Sequence, residues 1–268
     1  AAKVARLAAV ASRSVDISAF QACAPDARAF DSYDALLAAP EIDAVYIPLP
    51  NTLHVVWAMK AMAAGKHVLV EKPLAMKAED FDAVIAMRDK TGLLCAEAYM
   101  IIHHPQWQRA RKIVQSGGIG ALRHVCAQFC YNNAADPGNI RNKPETGGGG
   151  IPDIGVYTFG STRFVTGQEP VDLDAHVTWE NGVDVKAEVF AQFDGFSFQS
   201  MVSMRLANYQ EVLFLGEAGH VKLTAPFNPL VYGGAVLYHA DASGNVTAEK
   251  FPAANHYALQ VEAFCRSV

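Results

Sequence analysis

Two stretches decide the fold: Asp43-Ala44-Val45-Tyr46-Ile47-Pro48-Leu49-Pro50-Asn51-Thr52-Leu53-His54 and Gly65-Lys66-His67-Val68-Leu69-Val70-Glu71-Lys72-Pro73. Each holds a short apolar run that ends near a proline. Runs of this length are too short for a helix and fit strands buried on both faces. Leu7 to Ala11 and Leu93-Leu94-Cys95-Ala96 read the same way. Between these runs, Thr52 to Ala64 carries Val55, Met59 and Met62, and Lys77 to Thr91 sets Phe81, Val84, Ile85 and Met87 on one helical face. Each stretch stops at a glycine, Gly65 or Gly92. Doubly apolar strands alternating with helices predict an α/β unit: a Rossmann-like, doubly wound parallel sheet with helices on both sides.

The pattern changes near residue 100. A helix over Pro105 to Gln115 stops at Gly117-Gly118, and longer alternating segments follow: Leu122 to Tyr131, Val185 to Phe193 and Phe196 to Met204, with Gly195 turning between the last two. Tyr209 to Leu215, Val221 to Thr224 and Val231 to His239 extend the series, and Tyr257 to Val268 reads as a helix. The prediction is a second, α+β domain with an open, mostly antiparallel sheet. Residues 1–100 form the first domain and 101–268 the second, with no Pro- or Ser-rich linker. A doubly wound nucleotide-binding unit opens with a strand and a GxGxxG turn that receives pyrophosphate. The sequence has no such motif, so the first domain reads as truncated, beginning just before its second strand, with the first strand and Gly-rich loop missing.

Composition narrows the function classes. Of 268 residues 51% are hydrophobic and 18% charged, which excludes an intrinsically disordered chain. Twenty-two basic residues against 27 acidic ones give a net charge of −5 and no basic stripe, so nucleic acid is an unexpected partner. No apolar run nears the ~20 residues that span a bilayer, so no membrane partner is expected. Five scattered cysteines without a CxxC pair argue against disulfides and zinc and for a reducing, cytoplasmic location. The nine histidines show no metal spacing, and no metal site is expected.

Four motifs carry chemistry. Glu71-Lys72-Pro73 leaves a buried strand at its carboxyl end, the edge where open α/β sheets bind ligands. An ammonium there can reach a substrate hydroxyl; a solvated lysine at an ordinary strand exit is the plain alternative. Pro50-Asn51-Thr52-Leu53-His54 leaves the preceding strand at the same edge, where Asn51 either bonds a nucleotide or caps the next helix. Ser12-Arg13 ends the first readable strand, where an acidic residue would take a ribose 2′-hydroxyl and an arginine a 2′-phosphate. Neither residue is acidic, which favours NADP over NAD, although Arg13 also fits a surface loop. In Gly147-Gly148-Gly149-Gly150-Ile151-Pro152-Asp153-Ile154-Gly155-Val156-Tyr157, four glycines permit close backbone approach to a ligand or another domain. On a helix starting near Pro152, Asp153 and Tyr157 share a face. They suit proton transfer, or else Asp153 serves the helix dipole and Tyr157 the core.

In order and spacing these motifs, together with Glu97-Ala98-Tyr99-Met100 and Pro105, resemble the Gfo/Idh/MocA oxidoreductase family. Tyr157 and Ser161-Thr162-Arg163-Phe164 resemble its glucose–fructose oxidoreductase and dihydrodiol or xylose dehydrogenase-like branch. The resemblance implies hydride transfer between a nicotinamide cofactor and a sugar, polyol or similar cyclic alcohol. It implies Lys72 as catalytic lysine, Tyr157 as proton donor or acceptor and Asp153 as substrate-orienting acid. Ser12, Arg13, Pro50, Asn51, His54, Glu71 and Lys72 would line the cofactor. Tyr99, His103 and Arg141 would join Asp153 and Tyr157 at the substrate. Phenol ionises near 10, and an ammonium ~4 Å away at an effective dielectric of ~20 contributes about 4 kcal/mol, or about three units at ~1.4 kcal/mol each. That would bring Tyr157 near neutrality. A homodimer or higher oligomer on the second sheet, around Phe190, is expected. The rival reading is a non-catalytic member that keeps the fold for ligand binding or assembly.

Overall fold

A computed structural model describes residues 4–12, 20 and 24–268. The chain divides into two compact units, residues 1–99 with 257–268, and residues 100–256. The division read from the sequence left the last helix with the second domain; in the structure it belongs to the first. The reason is packing: Val261, Phe264 and Cys265 lie against Leu69, Leu94, Ala96 and Ala98.

In the first unit β1 (Ala9–Ala11) pairs in parallel with β2 (Arg28–Phe30). A separate parallel sheet holds β3 (Ala44–Ile47), β4 (His67–Glu71) and β5 (Cys95–Ala98), with Val45 opposite Val68 and Val68 opposite Cys95. Strand β4 is the centre of this sheet and is buried on both faces. Val68 and Val70 pack with Ala58, Ala61, Met62 and Val84, while Leu69 faces Phe264. Each such side chain contributes about 1.5–3 kcal/mol by leaving water.

The described helices of this unit include α1 (Tyr33–Ala38), α2 (His54–Ala63) and α3 (Asp80–Thr91); the chain's last helix also belongs here. Ser32 caps α1 through its Oγ, which accepts from Ala35 N–H at 3.1 Å. Beyond the other end of α1, the buried Lys66 ammonium donates to the carbonyls of Ala39 and Ile42 at 2.8 and 2.7 Å. Gly92 closes α3 in the left-handed region (φ 68°), where glycine costs least. The stripe read over Lys77 to Thr91 is narrower than expected. The helix starts at Asp80, Val84 is buried, and Phe81 and Ile85 are exposed.

The second unit is built on an eight-stranded sheet. Its strands are β6 (Leu122–Asn132), β7 (Asp172–Glu180), β8 (Val183–Phe193), β9 (Phe196–Ser203), β10 (Arg205–Gly216), β11 (Gly219–Leu223), β12 (Val236–Ala240) and β13 (Val246–Lys250). Their order is β13-β12-β11-β10-β6-β9-β8-β7, antiparallel except between β6 and β9. Helices α4 (Pro105–Gln115) and α5 (Val156–Thr166) serve this unit. Thr158 of α5 accepts from Ser200 of β9 at 2.8 Å, so the face carrying Ala187, Val189, Phe198 and Val202 is the covered one. The other face carries Lys186, Glu188 and Phe190. Trp107 of α4 is fully buried against Phe214 and Phe227 and donates to Pro226 O at 2.7 Å. The strand read over Val231 to His239 begins only at Val236, and its earlier residues form turns. The last helix, α6 (His256–Ser267), follows.

Candidate active site

Strand exits in the first unit bring two of the expected cofactor residues, Ser12 and Pro50, to one cleft. Ser12 follows β1, Asp31 to Asp34 follow β2, and Leu49, Pro50 and Leu53 follow β3. With Trp57 of α2 they line an open cleft of about 340 Å³. It lies at the carboxyl ends of parallel strands, where this architecture takes nucleotides. Trp57 meets Tyr33 edge-on at 4.9 Å and carries the Lys60 ammonium 4.2 Å over its ring. Lys60 also pairs with Asp34 at 3.3 Å. An apolar and aromatic wall beside a serine hydroxyl fits a purine nucleoside. Arg13 lies outside the described residues. Asn51 opens a 3-10 turn (Asn51–Leu53), whose N-cap position is taken by Pro50.

After β4 the chain turns through a cis Lys72–Pro73 peptide bond. Three side chains hold its main chain. Glu71 Oε2 accepts from Lys72 N–H at 3.3 Å, and Glu97 Oε1 accepts from Leu74 N–H at 2.7 Å. His54 Nδ1 lies 2.8 Å from Pro73 O, and its Nε2 lies 2.7 Å from Leu49 O. His54 is fully buried, so it supports this edge from behind; the expectation of direct cofactor contact is corrected. Tyr46 donates to Glu71 Oε1 at 2.5 Å; burial and the Glu71 charge push its phenol above the usual range. Burial also raises Glu97, against the pull of Leu74 N–H and the charge of Lys72.

In the second unit Asp153 Oδ2 accepts from Tyr131 Oη at 2.7 Å and from Arg141 Nε at 2.8 Å. Burial, then the Asp153 charge, push the Tyr131 phenol upward. Tyr157 is 6% exposed and tilts against Phe129 and Phe227 at 5.8 and 5.6 Å. Its hydroxyl donates to Met100 Sδ at 3.4 Å, a weak acceptor. Asp153 lies in a π-helical turn (Ile151–Gly155) and Tyr157 in α5, so the single regular helix expected from Pro152 is replaced by two segments. Tyr99 ends the first unit, its N–H donating to Glu97 O at 2.9 Å, and His103 closes a 3-10 turn (Met100–His103). Among the described residues no group of His, Cys, Asp and Glu could hold a metal ion.

The glycine run approaches protein within its own unit. A Cβ on Gly149 would stand 2.1 Å from Asp184 Oδ1, and one on Gly148 would stand 2.5 Å from Arg141 O. Asp184 is buried and accepts from Ile151 N–H at 2.6 Å, which starts the turn that carries Asp153. Burial raises its carboxyl, countered by main-chain N–H groups including those of Ile151 and Gly150. Sequence reasoning missed Asp184, Tyr131, Glu97 and Trp57. Only Glu97 had a signal, its place at a strand end beside Tyr99.

Residues 1–99 match the model of an oxidoreductase family with an NAD-binding Rossmann fold, and residues 107–222 match the GFO/IDH/MocA C-terminal domain. The chain belongs to the Gfo/Idh/MocA oxidoreductase family. As in that family, a nicotinamide-binding Rossmann-like unit is joined to a mostly antiparallel sheet domain. Among curated Gfo/Idh/MocA relatives, an uncharacterized oxidoreductase of Rhizobium meliloti, ORF334, is 40% identical over 90% of this chain and 74% of its own. D-xylose 1-dehydrogenase (NADP(+)) 2 of Haloferax volcanii is 34% identical over 90% of this chain and 74% of its own. Among solved structures, KijD10, a 3-ketoreductase from Actinomadura kijaniata in complex with NADP and TDP-benzene, superposes with a TM-score of 0.88 at 30% identity. That match covers 98% of this chain and 81% of KijD10. Variants of KijD10 change a lysine to alanine or glutamate and a tyrosine to phenylalanine.

Proposed function

We propose that this oxidoreductase uses NADP(H) to interconvert a carbinol and a ketone on a sugar, polyol or similar cyclic alcohol. The observation that carries the reading is the Lys72 turn, held by three side chains at a strand exit beside the nucleotide-sized cleft. Ser12, Pro50 and Trp57 would hold the adenosine half of the cofactor, which supplies or accepts the hydride. Lys72 would bond the reacting oxygen and neutralise charge as it develops. Tyr157 would move the proton at that oxygen. Its hydroxyl is a donor already turned to an acceptor, the Met100 thioether at 3.4 Å. Asp153 fixes Arg141 and Tyr131, whose remaining donors and acceptors suit vicinal hydroxyls. The NADP-dependent xylose dehydrogenase and the 3-ketoreductase KijD10 support a sugar-type substrate. The lysine and tyrosine changed in KijD10 variants are the residue types assigned here.

The outer face of the second sheet supports self-association. Phe190 is 52% exposed there, beside the Lys186–Glu188 pair at 3.0 Å, on the face opposite α5. The reading is a homodimer or higher oligomer on this face. Cys95, Cys126, Cys130 and Cys265 are free thiols, which supports a reducing cytoplasm, and no described helix is long and apolar enough to cross a membrane. The test is nicotinamide absorbance in the presence of a panel of aldoses, inositols and keto sugars with each cofactor. Turnover with kcat/KM favouring NADP(H), and erosion of that preference by Arg13→Ala, is expected. Sugar and cofactor binding without turnover would instead support the non-catalytic reading.

A further inference from the structure

His54 poses a problem of hydrogen-bond accounting. Its two ring nitrogens lie 2.8 and 2.7 Å from the carbonyl oxygens of Pro73 and Leu49. Carbonyl oxygens only accept, and a neutral imidazole carries one N–H. In the neutral ring one of these short contacts would set lone pair against lone pair in a fully buried site. A buried unsatisfied polar contact of that kind is costly. Both contacts are attractive only when both nitrogens carry protons.

A buried cation needs opposite charge nearby. The charged groups around this site come from two strand ends. Glu71 ends β4 and Lys72 follows it, and Glu97 is the last residue but one of β5; Lys72, Glu71 and His54 all act on the Glu97 carboxylate. Glu97 in turn binds Leu74 N–H at 2.7 Å, one residue past the carbonyl that His54 holds. The cation and carboxylate thus grip consecutive residues of one turn.

We propose that His54 is a doubly protonated positioning residue, an imidazolium whose two N–H groups tie the exit of β3 at Leu49 to the turn that carries Lys72. Its position follows from the local fold. The 3-10 turn Asn51–Leu53 brings the chain round so that the first residue of α2 faces both strand exits. Releasing the Pro73 carbonyl removes one of the three side-chain holds on the Lys72 turn, and releasing Leu49 unties that turn from the exit of β3. The inference rests on the catalytic reading of Lys72, but its charge state is measured without turnover.

The experiment uses the whole protein labelled with 15N-histidine. Both His54 ring nitrogens are expected to give protonated-type shifts, each with an attached proton, at neutral pH; one bare nitrogen would overturn the charged clamp. In kinetics, His54→Gln keeps one donor and loses the second. Its kcat is expected to fall about 10–100-fold, the scale of a slightly misplaced catalytic group. NADPH affinity, read by fluorescence titration, should change less than about three-fold. Unchanged kcat with His54→Gln would overturn the positioning role. Should that variant fail to fold, the nitrogen shifts of the unaltered protein still decide. A protein that shows the doubly protonated ring but no turnover would refute the proposed function and leave the clamp standing.

Discussion

Acid should unfold the second unit through two buried imidazoles. His104 and His256 are 0% and 5% exposed, with ring centroids 5.7 Å apart. Burial lowers both from 6.5 to about 4, and His256 adds to the effect on His104. The folded value lies below the unfolded one, so the unfolded chain binds more protons between these limits. The stability from neutral rings is whole above the unfolded value and is lost as pH falls toward 4. For one ring the linkage relation gives a loss of about 2 kcal/mol at pH 5 and about 3 kcal/mol below pH 4. Two neighbouring rings do not simply add, since the first proton opposes the second. The assay is urea unfolding followed by tryptophan fluorescence at a series of pH values, for the protein and for His104→Asn. His104 Nδ1 caps α4 by accepting from Gln106 N–H at 3.1 Å, and asparagine keeps a capping acceptor without titrating. The variant's stability should fall less steeply between about pH 6.5 and 4. Equal slopes for the two proteins would refute the reasoning.

Gly149→Ala should cost about 2–3 kcal/mol in urea unfolding, because φ is +126° and the new Cβ meets Asp184. The same change at Gly65, where no atom lies within 4 Å, isolates the backbone part. Lys66→Met should destabilise by about 2 kcal/mol, since two charge-assisted bonds to the carbonyls of Ala39 and Ile42 are lost. Phe190→Glu should lower the sedimentation mass without lowering stability, because the ring is half-exposed in the single chain.

What could be read in advance depended on how local the cause was. Strand β4 was legible because its burial on both faces leaves an unbroken apolar run, and Gly92 marked the end of α3 through its backbone. Strand β2, Arg28-Ala29-Phe30, and helix α1 are too short to show a period. Strand β13 begins at Val246 and is mostly exposed, so no apolar run or clear alternation marks it. The glycine run announced a close approach but not its object, since Asp184 lies 33 residues beyond Ile151. His54 was legible as a site residue and misread in role. Its partner Pro73 is 19 residues away, and burial cannot be inferred from a polar residue at a helix start.

The central claim, that Lys72 and Tyr157 carry the chemistry together, is tested most directly by a double-variant cycle on nicotinamide-dependent turnover. Lys72→Ala and Tyr157→Phe should each lower kcat by about 10²–10⁴, the range for positioned acid–base groups. Cofactor affinity should stay nearly intact. The double variant should be little worse than either single one, because members of a catalytic unit are not additive. Near-normal turnover of Tyr157→Phe across about pH 6 to 9, or losses that multiply in the double variant, would contradict the account.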